Sequence, residues 1–157
     1  MRMYMPLYFA YGSCMSFSDL ERTTSFEYVG TGIVFDYRLA FSAYSRTRQG
    51  GVADIVYAPG EKVEGVLFEV PDFKQLDKRE GHPNFYRRRE IEVWDEQAKT
   101  VRIASTYEVV HKKTPEIPPS REYANILLEG AKRLSKSYQK QLQAHISSLW
   151  EKEKTTG

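Results

Sequence analysis

Residues 11–15 have the composition of a turn that binds negative charge. An apolar segment of strand character, Leu7 to Ala10, leads into Tyr11-Gly12-Ser13-Cys14-Met15. A helix start is predicted just beyond, because Ser18 and Glu21 have the spacing of a capping box. A strand, a glycine turn and a helix start leave backbone N–H groups unpaired at one point, where they can bind an anion or an oxygen that becomes negative during a reaction. An ordinary strand-to-helix turn is the alternative interpretation.

Glu80 is the candidate for proton transfer. A short helix is predicted from about Phe73 to Glu80, with Gly81 as its C-terminal cap and a strand from Tyr86 to Trp94 following the turn. A carboxylate at the negative end of the helix dipole is disfavoured, which raises its pKa and suits a group that accepts and then donates a proton. The alternative is a solvated glutamate in the charged run that begins at Asp77, a residue expected on the solvent side of the helix.

These segments together resemble the gamma-glutamyl cyclotransferase family. Tyr11-Gly12-Ser13 matches the family's Tyr-Gly-Ser loop, and Leu76-Asp77-x-x-Glu80-Gly81 matches the segment that carries its catalytic glutamate. Further segments resemble the family's central hairpin, its next strand and its C-terminal helical part, and these are Gly50 to Ile55, Val63 to Leu67, Tyr86 to Val93, Pro118 to Tyr123 and Gly130-Ala131. The resemblance runs from about Leu7 to Leu142 in one order.

The resemblance implies a small mixed β-barrel with flanking helices and a cyclisation reaction that needs neither cofactor nor metal. The substrate is expected to be a small molecule, an L-gamma-glutamyl amide, which is converted to 5-oxoproline and a free amine or amino acid. Glu80 is then the catalytic residue. The expected substrate-binding residues are Tyr11, Gly12, Ser13, Cys14, Met15, Tyr86 and Tyr123. The family usually has asparagine where this chain has Cys14, which puts the substrate contact at that position in doubt.

Two other functions fit parts of the same sequence. A cysteine at a helix N-terminus can have a lowered pKa and act as a nucleophile, so Cys14 with His82 or His111 as base would make a cysteine-dependent amide hydrolase. A non-catalytic small-molecule-binding module of the same fold is the second alternative. Arg46 and Arg88 are candidates for pairing with a substrate carboxylate.

The leaving group of the substrate is not identified by the sequence. It is expected to contact loops such as Ser45 to Gly50 and His111 to Pro119, where Arg46, Arg48, Lys112 and Lys113 favour an acidic group.

Composition is typical of one soluble domain, assigned to residues 1–151, with a frayed tail at 152–157. The chain has 157 residues, a net charge of +2 and a single cysteine. Such a weak charge favours neither nucleic acid nor a membrane surface as partner, and one cysteine rules out an internal disulfide and predicts a cytoplasmic protein. The three histidines have no metal-ligand spacing. A monomer or a homodimer is expected.

The order of elements predicts an α+β fold, with about six strands in one sheet followed by helices. The strands are placed at residues 28–35, 37–44, 52–57, 63–70, 86–94 and 101–109. Three prolines between Thr114 and Pro119 predict an extended linker. Helices at 121–134 and 137–150 complete the fold.

Overall fold

The computed structural model describes residues 5–156, without the side chains of residues 155 and 156. Its five strands are β1 (Leu7–Ala10), β2 (Glu27–Ser45), β3 (Gly50–Glu69), β4 (Tyr86–Asp95) and β5 (Thr100–Val109). Its four α-helices are α1 (Phe17–Leu20), α2 (Lys74–Glu80), α3 (Arg121–Gly130) and α4 (Lys136–Thr156). Short 3-10 turns cover Ser13–Met15 and Ala131–Arg133.

The strands form a closed barrel in the order β1-β3-β2-β4-β5. All neighbours are antiparallel except β1 and β5, which close the barrel in parallel through Tyr8 and Ser105. The core of the protein contains large apolar side chains on the barrel strands, among them Phe9, Phe41 and Phe68, each fully buried. The α+β class and the mixed barrel with flanking helices are therefore confirmed.

Within residues 5–156 there are five strands rather than about six. Two predicted breaks lie inside long strands, which merges four predicted strands into β2 and β3, and the apolar segment Leu7–Ala10 adds β1. Pairing of β2 with β3 continues from Phe35 with Lys62 directly to Tyr37 with Tyr57, so residues 58–61 are looped out. Asp36 takes a left-handed φ of 67° at this point and accepts a hydrogen bond from the Gly60 N–H at 3.0 Å. Asp36 and Pro59-Gly60 therefore kink one continuous hairpin rather than ending its strands.

Helix α1 begins two residues earlier than the predicted capping box implies. Its N-cap is Ser16, whose hydroxyl accepts a hydrogen bond from the Asp19 N–H, while Glu21 lies at the C-terminal end. Ser16 lies at the correct position because the 3-10 turn at Ser13–Met15 ends there. The Ser18–Glu21 capping box is therefore wrong, although a helix does begin just beyond the glycine turn, as predicted.

The C-terminal helices cover the turn and the barrel. Ser120 caps α3, its hydroxyl accepting a hydrogen bond from the Tyr123 N–H at 3.1 Å. A Cβ at Gly130 would lie 2.5 Å from the Ser16 nitrogen, so this glycine lets α3 lie directly on the backbone after the 3-10 turn. Residues 111–120 contain no helix or strand, and α4 continues to Thr156, beyond the predicted end at Trp150 and through the segment expected to fray.

Candidate active site

A cavity of about 850 Å³ opens at one end of the barrel. The last residues of β1, β2 and β5, the first residues of β3 and β4, and the end of α2 surround it. It brings together seven of the eight predicted site residues, which are Tyr11, Gly12, Ser13, Cys14, Glu80, Tyr86 and Tyr123. Segments up to 112 residues apart in sequence, from Tyr11 to Tyr123, therefore meet in one place.

The Glu80 side chain ends α2 at the cavity wall and is 17% exposed. Gly81 caps the helix in the left-handed conformation, with φ of 69°, so the chain turns away immediately after the glutamate. Burial raises the pKa of Glu80 to about 7, with Arg79 and Arg48 opposing the rise and Asp19 adding to it. The carboxyl is therefore suited to exchange protons near neutral pH. The main cause of its raised pKa is desolvation rather than its position at the helix end.

Asp19 holds two arginines beside Glu80. Its carboxylate is 4% exposed and accepts from Nη2 of Arg79 and, at 3.2 Å, from Nη2 of Arg48. Arg79 also donates to the Asp19 carbonyl at 3.1 Å and to Ser13 Oγ at 3.2 Å, while its Nε lies 3.9 Å from Glu80 Oε1. Burial works to raise the pKa of Asp19, but the hydrogen bonds and charges of the arginines outweigh it and hold the pKa below its usual value.

The Ser13–Met15 turn lines the same cavity as Glu80 through Ser13 and Cys14. Within the turn, the Met15 and Ser16 N–H groups donate to the Gly12 and Ser13 carbonyls at 3.1 and 3.0 Å. The N–H groups of Ser13 and Cys14 precede these bonds and are not used by the turn. A Cβ at Gly12 would lie 3.2 Å from the Ala53 Cβ, so glycine allows the turn to approach the barrel wall.

Three tyrosines border the cavity with their hydroxyl groups fixed by the backbone. Tyr11 donates to the Tyr107 carbonyl and Tyr86 donates to the Ala53 carbonyl. Tyr123 instead accepts from the Ala53 N–H at 3.0 Å. Tyr123 therefore keeps its hydroxyl proton available, whereas Tyr11 and Tyr86 present lone pairs.

Cys14 does not have the surroundings of a nucleophile. Burial raises the pKa of its thiol to about 12, against the lowering predicted for a helix N-terminus. No histidine lines the cavity, and all three belong to the described part of the chain. His82 instead accepts from the Arg88 N–H in its turn, and His145 pairs with Glu116. The geometry therefore argues against a cysteine–histidine pair.

Met15 and Asp77 differ from their predicted positions. Met15 is fully buried in the core and does not line the cavity, because α3 packs over it. Asp77 does not face solvent freely: it accepts from the Tyr107 hydroxyl at 2.6 Å and from Arg88 at 2.9 Å. Its side chain is 24% exposed, because the C-terminal half of α2 lies against β4 and β5.

Of the two arginines predicted to pair with a substrate carboxylate, one lies at the cavity and the other does not. Arg88 is occupied by Asp77 and does not line the cavity, whereas Arg46 lies at its rim. Lys112 is paired with the buried Asp54 at 2.8 Å, and the loop from His111 to Pro119 does not contribute to the lining.

Sequence reasoning missed the roles of Asp19 and Arg79. Asp19 lies in a predicted helix start and Arg79 in a run of charged residues, and in both places a charged side chain is ordinarily solvated. They are 60 residues apart, and no spacing rule connects them. The one available signal was the adjacency of Arg79 to Glu80, since a cation next to a proposed proton acceptor affects its pKa.

The described residues contain no group of three or more histidine, cysteine, aspartate or glutamate side chains arranged to hold a metal ion. None of the helices within residues 5–156 is both long and apolar enough to cross a membrane.

Comparison with known proteins gives a consistent set of relatives. The model of the AIG2-like family matches residues 62–142. The chain is 32% identical over 146 residues to a gamma-glutamylcyclotransferase of Bos taurus, covering 87% of this chain and 76% of that protein. It is 30% identical over 148 residues to the gamma-glutamylcyclotransferase of Homo sapiens, covering 88% and 77%. A solved structure titled gamma-glutamyl cyclotransferase is similar with a TM-score of 0.84 and 28% identity, covering 90% of this chain and 88% of the other.

Proposed function

This chain belongs to the gamma-glutamylcyclotransferase family, and we propose that it cyclises the glutamyl group of an L-gamma-glutamyl amide. The α-amino group of the substrate attacks its own γ-carbonyl carbon and closes a five-membered lactam. The C–N bond to the leaving amine then breaks, which releases 5-oxoproline and a free amine or amino acid. Because nucleophile and electrophile belong to one molecule, the main task of the protein is to hold the substrate in attack geometry.

Glu80 carries the protons in this mechanism. Its carboxylate first accepts a proton from the α-ammonium group, which frees the nitrogen lone pair for attack. The same carboxyl then donates a proton to the leaving nitrogen as the bond to the γ-carbon breaks. Over the full cycle two protons leave the α-nitrogen and two reach the released amine, so the overall reaction neither consumes nor releases protons.

The developing negative charge is held by the turn and by Tyr123. When the α-nitrogen attacks, the γ-carbonyl oxygen becomes an oxyanion that needs hydrogen-bond donors. The Ser13 and Cys14 N–H groups and the Tyr123 hydroxyl are such donors at the cavity wall. Tyr11 and Tyr86 offer lone pairs, which fit the α-ammonium group before it is deprotonated.

The single observation that carries this proposal is the Glu80 carboxyl, with its pKa raised to about 7 by burial, in the same cavity as the Gly12–Cys14 turn. An ordinary surface glutamate would be fully ionised at pH 7 and a weak proton donor. The position next to the turn gives one cavity both a proton carrier and an oxyanion site.

The test is to incubate the protein with gamma-glutamyl-alanine and look for 5-oxoproline by mass spectrometry. Glu80→Gln keeps the shape of the side chain but cannot accept a proton, so we expect turnover to fall by about 10²- to 10⁴-fold. Glu92→Gln, on the exposed outer face of β4, is the matched control and retains the wild-type rate. A Glu80→Gln variant with most of its rate would refute the assignment.

Two other outcomes of the same experiment would identify the alternative functions. Free glutamate in place of 5-oxoproline would identify a hydrolase, and binding without any product would identify a non-catalytic module. We further propose a cytoplasmic location, since the one cysteine is free and buried. We also propose that the protein is a monomer or a homodimer.

A further inference from the structure

Arg79 and Arg48 are used differently although both bind Asp19. Both terminal nitrogens of Arg79 donate to protein atoms, which are the Asp19 carboxylate and carbonyl, Thr23 Oγ1 and Ser13 Oγ. Only Nη2 of Arg48 is engaged, with Asp19 at 3.2 Å and with Ser13 Oγ at 3.5 Å. The Nε and Nη1 groups of Arg48 have no acceptor among the residues that the structure describes. Both terminal nitrogens of Arg79 are therefore occupied by protein acceptors, whereas Arg48 keeps N–H groups that can bind a ligand.

Arg48 is held in the cavity wall rather than extended into solvent. Its side chain is 23% exposed, and its guanidinium carbon lies 5.4 Å from the centre of the Tyr123 ring. Its backbone N–H donates to Ser45 Oγ at 3.2 Å, which fixes the turn between β2 and β3. A guanidinium that is fixed at one nitrogen and stacked on a ring presents its remaining N–H groups, on Nε and Nη1, in defined directions, and each can donate to a carboxylate oxygen.

The mouth of the cavity around Arg48 is basic. Arg22, Arg46 and Lys78 line it and are exposed, against the single exposed acid Glu122. Two other acidic residues line the cavity. Asp19 is paired with its arginines, and Glu80 lies at the inner end rather than at the mouth. The mouth therefore favours negatively charged groups over positively charged ones.

We propose that the leaving group of the substrate is an acidic amino acid or peptide whose carboxylate is bound by the unoccupied N–H groups of Arg48. This inference rests on the proposed cyclotransferase function and names the half of the substrate that the function leaves open. A second carboxylate on the leaving group is stabilised by the exposed cations at the mouth. Arg48 is in this role the residue that determines specificity.

Arg48 contacts the Gly12–Cys14 turn through Nη2, which donates to Ser13 Oγ at 3.5 Å, and we assign its free Nε and Nη1 groups to the leaving group rather than to the α-carboxylate of the glutamyl half. The α-amino group must reach Glu80, so the glutamyl half occupies the inner end of the cavity beside the Gly12–Cys14 turn. The leaving nitrogen then points outward, toward the turn of residues 46–49 that carries Arg48 and Arg46. The experiment separates these two sources of a carboxylate.

The test compares kcat/KM for three substrates with the same glutamyl half. Gamma-glutamyl-glutamate has two carboxylates on the leaving group, gamma-glutamyl-alanine has one and gamma-glutamyl-ethylamide has none. With the wild-type protein we expect the rates to decrease in that order, with the ethylamide about 10- to 100-fold below the alanine substrate, as for loss of a charged hydrogen bond. Gamma-glutamyl-lysine is expected to be slower than gamma-glutamyl-glutamate, because its ammonium meets the basic mouth.

Because Arg48 also lowers the pKa of Glu80, the variant is compared with the wild type at pH 9, where Glu80 is largely ionised in both proteins. At that pH Arg48→Gln is expected to slow the two carboxylate-bearing substrates by about tenfold or more relative to the ethylamide. The ethylamide rate therefore reports that the variant is folded and chemically competent. Arg102→Gln, at the distant β4–β5 turn where Arg102 pairs with Asp95, is the matched control.

Three results would overturn the inference. Equal rates for the ethylamide and alanine substrates in the wild-type protein would show that no leaving-group carboxylate is bound. An equal loss on all substrates in Arg48→Gln would assign Arg48 to the α-carboxylate instead. A lysine substrate as fast as the glutamate substrate would refute the acidic preference. In each case 5-oxoproline is still formed, so the cyclotransferase function stands; absence of 5-oxoproline from every substrate would refute that function itself.

Discussion

Arg79 gives a sharp test of how the protein sets the pKa of Glu80. The Arg79 guanidinium lowers the pKa of the Glu80 carboxyl, which burial raises to about 7. Arg79→Gln removes this positive charge and leaves Asp19 with one fewer partner. Since Asp19 raises the pKa of Glu80, both consequences act in the same direction, and the pKa of Glu80 rises.

The size of the effect follows from the separation of the two groups. Nε of Arg79 lies 3.9 Å from Oε1 of Glu80, and the side chains are 20% and 17% exposed. A unit charge at this distance is worth about 1 kcal/mol in water and about 4 kcal/mol at an effective dielectric constant near 20. Taking a value near the lower end for a cavity open to solvent, about 1–2 kcal/mol, gives a rise of roughly one pKa unit.

The assay is the pH dependence of kcat/KM for gamma-glutamyl-alanine, measured as the ratio of variant to wild type. A base whose pKa rises by about one unit has about tenfold less carboxylate at pH 6 and almost the same amount at pH 9. The loss in Arg79→Gln is therefore large at low pH and disappears at high pH. Ionisation of the substrate amine is common to both proteins and cancels in the ratio.

Arg79→Lys is the matched control, because it keeps a positive charge beside Glu80 and leaves the acidic limb of the profile close to that of the wild type. The thermal midpoint of each variant shows whether the fold is intact. A loss in Arg79→Gln of equal size at pH 6 and pH 9 would refute this account, as would a shift of the limb to lower pH.

Three further predictions concern Glu80, Cys14 and Gly130. The raised pKa of Glu80 means that the folded state holds this proton more tightly than the unfolded state, so the ionised carboxyl destabilises the fold above about pH 7 and not below about pH 4.5. Glu80→Gln should therefore raise the Tm by several degrees at pH 8, equivalent to roughly 2–3 kcal/mol, and leave it nearly unchanged at pH 4; an equal Tm at pH 8 contradicts this. Cys14→Ser should retain most of the rate and the wild-type protein should form no acyl adduct in rapid-quench mass spectrometry, whereas a dead variant with an adduct would establish a nucleophilic thiol. Gly130→Ala should lower the free energy of unfolding by about 1–3 kcal/mol in urea titration, because its Cβ would lie 2.5 Å from the Ser16 nitrogen; an unchanged midpoint would show that α3 can move away.

The fold was largely predictable because its elements carry local signals. Alternating strands, a glycine cap at Gly81, a serine cap at Ser120 and a proline-rich linker each depend on neighbouring residues only. The errors also have a local origin. Asp36 and Pro59-Gly60 have the composition of strand ends, and only the continued pairing of β2 with β3 makes them a bulge.

The candidate site was likewise predictable only where it depends on short segments of sequence. The sequence by itself determined which residues have suitable chemistry, Glu80 at a helix end and the Gly12–Cys14 turn, because a helix end and a glycine turn are properties of short segments. It also determined, by a family resemblance, that these two segments act together. It could not place Met15 in the core or Asp77 against Tyr107, because burial depends on which elements pack over a residue.

Only the tertiary structure decided the electrostatics of the cavity. Burial, not the helix end, is the main cause of the raised pKa of Glu80, and desolvation is set by every segment around the carboxyl. Asp19, Arg48 and Arg79 meet across gaps of 29 to 60 residues, so no spacing in the sequence reveals their ion pairs. Coulomb interactions fall with distance in space and not with separation along the chain, and closing the barrel brings these charges together.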